Sequence, residues 1–117
     1  MEETLRPIER LRHGFEFRHV FDKGTCFRTP CLRIHYLPSP RELSRMGLVV
    51  TRRTGGAVSR TRIKRLLREV YRRNKKALPE AMDIVLVAQG RARTHAEYLA
   101  SFLRFAAQAS AGQPCAS

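Results

Sequence analysis

Cutting a phosphodiester with protein side chains requires clustered carboxylates that hold metal ions, or an acid–base pair close to the reacting atoms. The ten acids of this chain, Glu2, Glu3, Glu9, Glu16, Asp22, Glu42, Glu69, Glu80, Asp83 and Glu97, are scattered, and no pair has the spacing of a metal clamp. The histidines are His13, His19, His35 and His95. His13 and His19 lie six positions apart and would not share a helix face. His95 falls inside a helix-capping pattern, where a solvated role is expected. Cys26, Cys31 and His35 are conceivable metal ligands, but a fourth is missing and their spacing fits no usual zinc pattern. The sequence therefore predicts no catalytic side chains and no protein-held metal.

Its cations are another matter. Between Arg52 and Lys76 lie eleven basic side chains and one acid, so this stretch carries a net +10 of the formal +13 of the chain. Ile63, Leu66, Leu67 and Val70 recur within it at helical spacing and share an arc of roughly 100°. That stripe is wide enough to dock one helix face on a core. Arg60, Lys64, Arg68 and Arg72 then line one flank at intervals of four, with Arg62, Arg65 and Glu69 on the other. Like charges one turn apart repel by about 0.2–0.5 kcal/mol per pair. Glu69 is placed to relieve only Arg65, Arg72 or Arg73, so an external polyanion is expected to neutralise the rest.

The elements that position this helix can be read on either side of it. Residues 1–12 read as an extended arm, the first nine of them flexible, and a short helix is expected from His13 to Lys23, stopped by Gly24. Its Phe17, Val20 and Phe21 share a face. The spacing favours the core for Phe21 and leaves Phe17 open between core packing and stacking on unpaired bases. Cys31 to Leu37 alternates as a half-buried strand, with Leu32, Ile34 and Tyr36 on one side and Cys31, Arg33 and His35 on the other. Met46–Thr51 predicts another strand, and the segment from Gly24 to Pro30 a further short one. The Gly55–Gly56 loop leads into the basic helix over 57–77, and Pro79 follows its end. Asp83–Ala88 (DIVLVA) reads as an interior strand. Thr94–His95–Ala96–Glu97 is a capping box for a closing helix with Leu99, Phe102, Leu103 and Ala106 as its stripe. The tail from residue 110 is expected to fray.

The expected fold class is α+β, a two-layer sandwich with a small mixed sheet of about four strands in the order α-β-β-β-α-β-α. The strands before and after the basic helix should be parallel. Residues 1–117 read as a single RNA-binding domain. The start of the chain is charged, no run is long and apolar enough to span a membrane, and the three cysteines Cys26, Cys31 and Cys115 form an odd set. A cytoplasmic protein with ordinary thiols is the expectation.

Two stretches together resemble the protein component of bacterial ribonuclease P. RLRHGFEFRHVFDKG (Arg10–Gly24) is similar to the opening helix of that family, and GLVVTRRTGGAVSRTRIKRLLREVY (Gly47–Tyr71) to its signature strand, loop and helix. The resemblance spans Arg10 to Ala107. It implies a left-handed parallel crossover, against the general rule for such connections. It also implies a partnership with a catalytic RNA that removes the 5′ leader of precursor tRNA, with Mg²⁺ held mainly by the RNA and substrate. By position, Phe17, Phe21 and His35 would face the leader in a cleft. Arg52, Arg53, Arg60, Arg62, Lys64, Arg65 and Arg68 would form or border the RNA-facing surface. The chain departs from the family pattern where Thr61 and Gly56 replace common asparagines, and where Gln89–Gly90 replace a basic pair. The alternatives are a basic ribosomal protein and an independent nuclease.

A concentrated +10 segment repels itself, and a bound anion relieves that only in the folded state. Sulfate or phosphate should accordingly raise the melting temperature by several degrees over chloride at equal ionic strength. A melting point indifferent to the multivalent anion would refute a preformed anion surface.

Overall fold

The computed structural model describes residues 10–11, 14–39 and 42–110, so the arm up to residue 9, His13 and the tail with Cys115 lie outside the described residues. In chain order the elements are α1 (Gly14–Lys23), β1 (Thr25–Arg28), β2 (Leu32–Pro38), β3 (Arg45–Val49), α2 (Ala57–Asn74), β4 (Met82–Ala88) and α3 (His95–Ser110). This is the expected order.

The DIVLVA run is buried because β4 is central: the sheet runs β1-β2-β4-β3, and every residue of β4 is buried. β2 pairs with β4 antiparallel, whereas β3 pairs with it in parallel, as a strand–helix–strand unit requires. Along β4, Met82, Ile84, Leu86 and Ala88 join Ile63, Leu67, Val70 and Tyr71 of α2 and Tyr98, Phe102 and Phe105 of α3 in the main core. Val85 and Val87 face the other way and pack with Val20 and Phe17 of α1, Leu37, Val49 and Leu11. The sheet thus has a full helical layer on one face and only the short α1 on the other.

Local chemistry explains the element ends. Thr94 caps α3 through the reciprocal bonds of a capping box: its N–H donates to Glu97 Oε1 (3.1 Å), and the Glu97 N–H donates to its Oγ1 (3.3 Å). Helix α2 stops at Asn74, three residues before the expected Ala77, and Lys75–Ala77 form a 3₁₀ turn. The Asn74 amide donates to the Val70 carbonyl at 2.8 Å, and Pro79 bars the preceding Leu78 from helical geometry. Strand β3 ends at Val49 rather than Thr51, because the chain turns at once, with the Thr54 N–H donating to the Thr51 carbonyl (3.0 Å).

Three packing expectations are corrected. Cys31 is in the main core rather than beside Arg33 and His35, since it precedes the regular pleat of β2; its Sγ shares a hydrogen bond with the buried Ser101 Oγ at 2.9 Å. On α3 the stripe is rotated: Leu103 is exposed, and Tyr98 and Phe105 are buried in its place. Phe105 contacts Phe27, Tyr36 and Phe102 in an aromatic cluster, and these large rings set which face of α3 turns inward. Phe21, expected in the core, is 39% exposed.

One polar cluster fixes α1 to the sheet. Arg45 of β3 forms a fork with the buried Asp83 of β4, Nε to Oδ1 at 3.1 Å and Nη2 to Oδ2 at 2.9 Å. Its Nη1 reaches Glu16 of α1 at 2.7 Å. Arg45→Ala would strand the Asp83 carboxylate, a loss of about 3–5 kcal/mol for a broken buried pair. Chemical denaturation should show that loss, and combining Arg45→Ala with Asp83→Asn should recover much of it; a change under 1 kcal/mol would show that the cluster is not structural.

Candidate nucleic-acid interface

Strand register sets the site. On the α1 face, directly opposed residues form three rows across the sheet. The first is Arg28, Arg33, Val87 and Val49, the second Cys26, His35, Val85 and Gly47, and the third Leu37, Asp83 and Arg45. Helix α1 covers the second and third. Phe17 lies against Gly47, where an added Cβ would come within 2.5 Å of the ring, so only glycine seats it there. Phe21 meets His35 edge-on with ring centroids 4.6 Å apart. The first row lies toward the end of α1, where Val87 still packs with Val20 but Arg33 and Val49 border an opening.

A groove of about 570 Å³ occupies that opening. Val49 and Val87 line it with Arg33, Thr51, Arg52, Arg53 and Gln89, and the register sets Arg33 and Val49 on opposite sides of Val87. The loop that presents Arg52 and Arg53 is pinned: the Gly55 N–H donates to the Arg52 carbonyl (3.1 Å) and the Ala92 N–H to the Thr54 carbonyl (3.3 Å). Gly55 has φ +147°, a conformation that side chains strongly disfavour, which explains the first of the paired glycines. A second, smaller crevice of about 160 Å³ lies at the β3 edge, where Phe17 and Gly47 meet Arg10 and the α2 side chains Lys64 and Arg68.

The sequence-predicted residues therefore divide by location. Phe17 is brought together with Lys64 and Arg68, Phe21 with His35, and Arg52 and Arg53 with Arg33. Arg62 and Arg65 are exposed and line neither opening. Arg60 is half-buried, and Thr61 is exposed beside it. Glu69 takes Arg72 and Arg73 rather than Arg65. Arg52, Arg53, Arg60, Arg62, Lys64, Arg65 and Arg68 have no acidic partner among the described residues. Beyond β4, Arg93 is tied to Glu97 at 3.1 Å, whereas Arg91 is exposed and Gln89 lines the groove. Arg10, Arg28 and Arg33 were not singled out from the sequence. For Arg33 the signal was there, since its alternation with Leu32 and Ile34 already put it on the face away from the core.

Arg33 Nε donates to His35 Nε2 at 3.1 Å, which requires an unprotonated Nε2. Burial, then the charges of Arg33 and Arg28, push the His35 pKa below its ordinary 6.5. Among the described residues no group of three His, Cys, Asp or Glu side chains could hold a metal ion, and no helix is long and apolar enough to cross a membrane.

A cation-rimmed groove on one sheet face, joined to a basic helix whose charges lack internal partners, defines a small α+β RNA-binding protein. The family model for Ribonuclease P matches residues 5–109. The chain belongs to the ribonuclease P protein family, and its role is that of the protein subunit of ribonuclease P, the enzyme that matures the 5′ end of tRNA. Similar proteins include the ribonuclease P protein component of Natranaerobius thermophilus, 36% identical over 88 residues, which span 75% of this chain and 76% of that one. The ribonuclease P protein of Thermotoga maritima is 34% identical, with a TM-score of 0.64 over 69% of this chain and 74% of that one. That of Staphylococcus aureus, 24% identical, shares the fold with a TM-score of 0.74 over 82% of this chain and 90% of that one.

The sign of the His35 shift yields a pH prediction. The unfolded imidazole takes up a proton near 6.5 and the folded one resists it, so its contribution to stability is complete above pH 6.5 and is lost as pH falls below. NMR titration should place the His35 midpoint below 6.5, and His35→Gln should flatten the stability profile as pH falls below 6.5. A midpoint at or above 6.5 would contradict the assigned environment.

Proposed function

We propose that the chain holds two RNA surfaces at once. The flanks of α2 and the Arg52–Arg53 loop meet the phosphates of the catalytic RNA through Arg60, Arg62, Lys64, Arg65 and Arg68. The α1 face takes the single-stranded 5′ leader of precursor tRNA, with Phe17, Phe21 and His35 toward it. The observation that carries this reading is continuity: Phe17 lines the same crevice as Lys64 and Arg68, so the leader surface and the basic helix meet without a break.

Each part has a physical task. Guanidinium groups neutralise phosphates and release counterions, which lowers the repulsion between two polyanions. The exposed ring of Phe21 offers a stacking face, and base–aromatic stacking is worth about 1–3 kcal/mol per base. Neutral His35 presents a hydrogen-bonding edge without adding a charge. The chain's side chains bind and orient; bond cleavage belongs to the RNA and to Mg²⁺ held by RNA and substrate, whose occupancy rises as the protein stabilises the folded RNA. This assignment places the protein in the bacterial cytoplasm, with catalytic RNA and precursor tRNA as its partners.

Cleavage of precursor tRNA tests the reading. The chain alone should cleave nothing, while a bacterial ribonuclease P RNA at low Mg²⁺ should be strongly stimulated by it. Cleavage by the protein alone, or no stimulation of the RNA, would overturn the proposal. Phe21→Ala in the reconstituted enzyme should weaken leader-bearing substrate about tenfold while sparing mature tRNA, and equal loss for both would remove the ring from the leader site.

A further inference from the structure

The first row contains more positive charge than the leader surface implied by the family resemblance. Arg28 of β1 and Arg33 of β2 are directly opposed in the antiparallel register, so both side chains leave the same face of the sheet. Like charges so placed destabilise a strand pair. Neither has an acidic partner among the described residues, and Arg28 is exposed. Arg33 spends its Nε on His35, which orients the guanidinium and leaves both Nη groups available in the lining of the groove. Arg52 and Arg53 line the same groove with Val87 and Val49.

We propose that Arg28 and Arg33 form a phosphate subsite that takes a backbone phosphodiester of the single-stranded leader and extends its path across β2 to β1. The inference rests on the leader reading above and adds two residues to it. A groove lined by both valines and guanidinium groups matches a single strand, whose bases prefer the apolar surface and whose phosphates prefer the cations. Spanning β3 to β1 means crossing three inter-strand gaps, about 14 Å, so the contact reaches past Phe21 and His35 to further nucleotides. The direct opposition of Arg28 and Arg33 across the β1–β2 pair puts both guanidinium stems at one level of the sheet face. A planar guanidinium fork suits a phosphate better than the ammonium of lysine does.

The test uses the reconstituted ribonucleoprotein, with precursor tRNAs of increasing leader length and mature tRNA as ligands. Arg28→Ala and Arg33→Ala should each lower affinity for long-leader substrate about tenfold, with the loss confined to leaders long enough to reach β1. Each should also flatten the dependence of log affinity on log salt by about 0.7, the value of one single-strand phosphate contact. Arg28 makes no side-chain bond among the described residues, so its substitution leaves the Arg33–His35 hydrogen bond in place, and Arg28→Lys should restore the salt slope. A wild-type complex with no leader preference would overturn the leader reading and the subsite with it. Leader preference and salt slope retained in full by both variants would overturn the subsite alone. So would equal loss on mature tRNA, or weaker binding of the protein to the catalytic RNA, since either places the phosphate elsewhere.

Discussion

Everything this protein presents to RNA depends on how firmly α2 is held from behind. Its outer flanks set like charges one turn apart from Arg60 through Lys64 and Arg68 to Arg72, each pair costing about 0.2–0.5 kcal/mol. Against that stand Ile63, Leu67, Val70 and Tyr71, all fully buried, and an apolar side chain of this size contributes about 1.5–3 kcal/mol when removed from water. Burial wins by a margin that lets the exposed face be chosen for its partner rather than for stability.

The same sheet has a second allegiance. Because β4 is central and buried on both faces, its Ile84 and Leu86 hold α2 and α3, while its Val85 holds α1. The rear core and the α1 face are thus separated by the thickness of one strand. Arg45 bonds to elements on two sides, Asp83 in β4 and Glu16 in α1, and sets the seat of α1 just where Phe17 meets Gly47. The groove is what remains of the sheet face after so short a helix has been placed across it.

Much of this was legible in the sequence. The α2 stripe, the α3 capping box and the interior character of β4 follow local rules: a 3.6-residue period, a four-residue motif and a β-branched run. What escaped depends on partners far apart in the chain. Arg45 finds Glu16 from 29 residues away and Asp83 from 38, and no periodicity records such a pairing. Phe17 and Phe21 share a helix face, yet one is half-buried and the other exposed, because α1 crosses the sheet and only its start is backed by Gly47. Cys31 departs from the alternation for a related reason: the pleat of β2 begins only at Leu32. Of the candidate site, the cations on α2 and in the loop stand out from charge spacing alone, whereas the opposition of Arg28 and Arg33 depends on strand register.

The segment at Arg10–Leu11 runs along the outer side of β3, where Arg10 bridges Met46 in parallel and the Leu11 N–H donates to the Met46 carbonyl at 3.1 Å. An uncapped strand is a template for another molecule's backbone, and proteins blunt such edges with short strands, charge or a covering segment. Here one edge is partly covered, and the opposite edge, β1, is four residues long and carries Arg28. The design discourages strand-to-strand self-association. The two outer strands thus leave little unpaired backbone to which a second copy could add a strand.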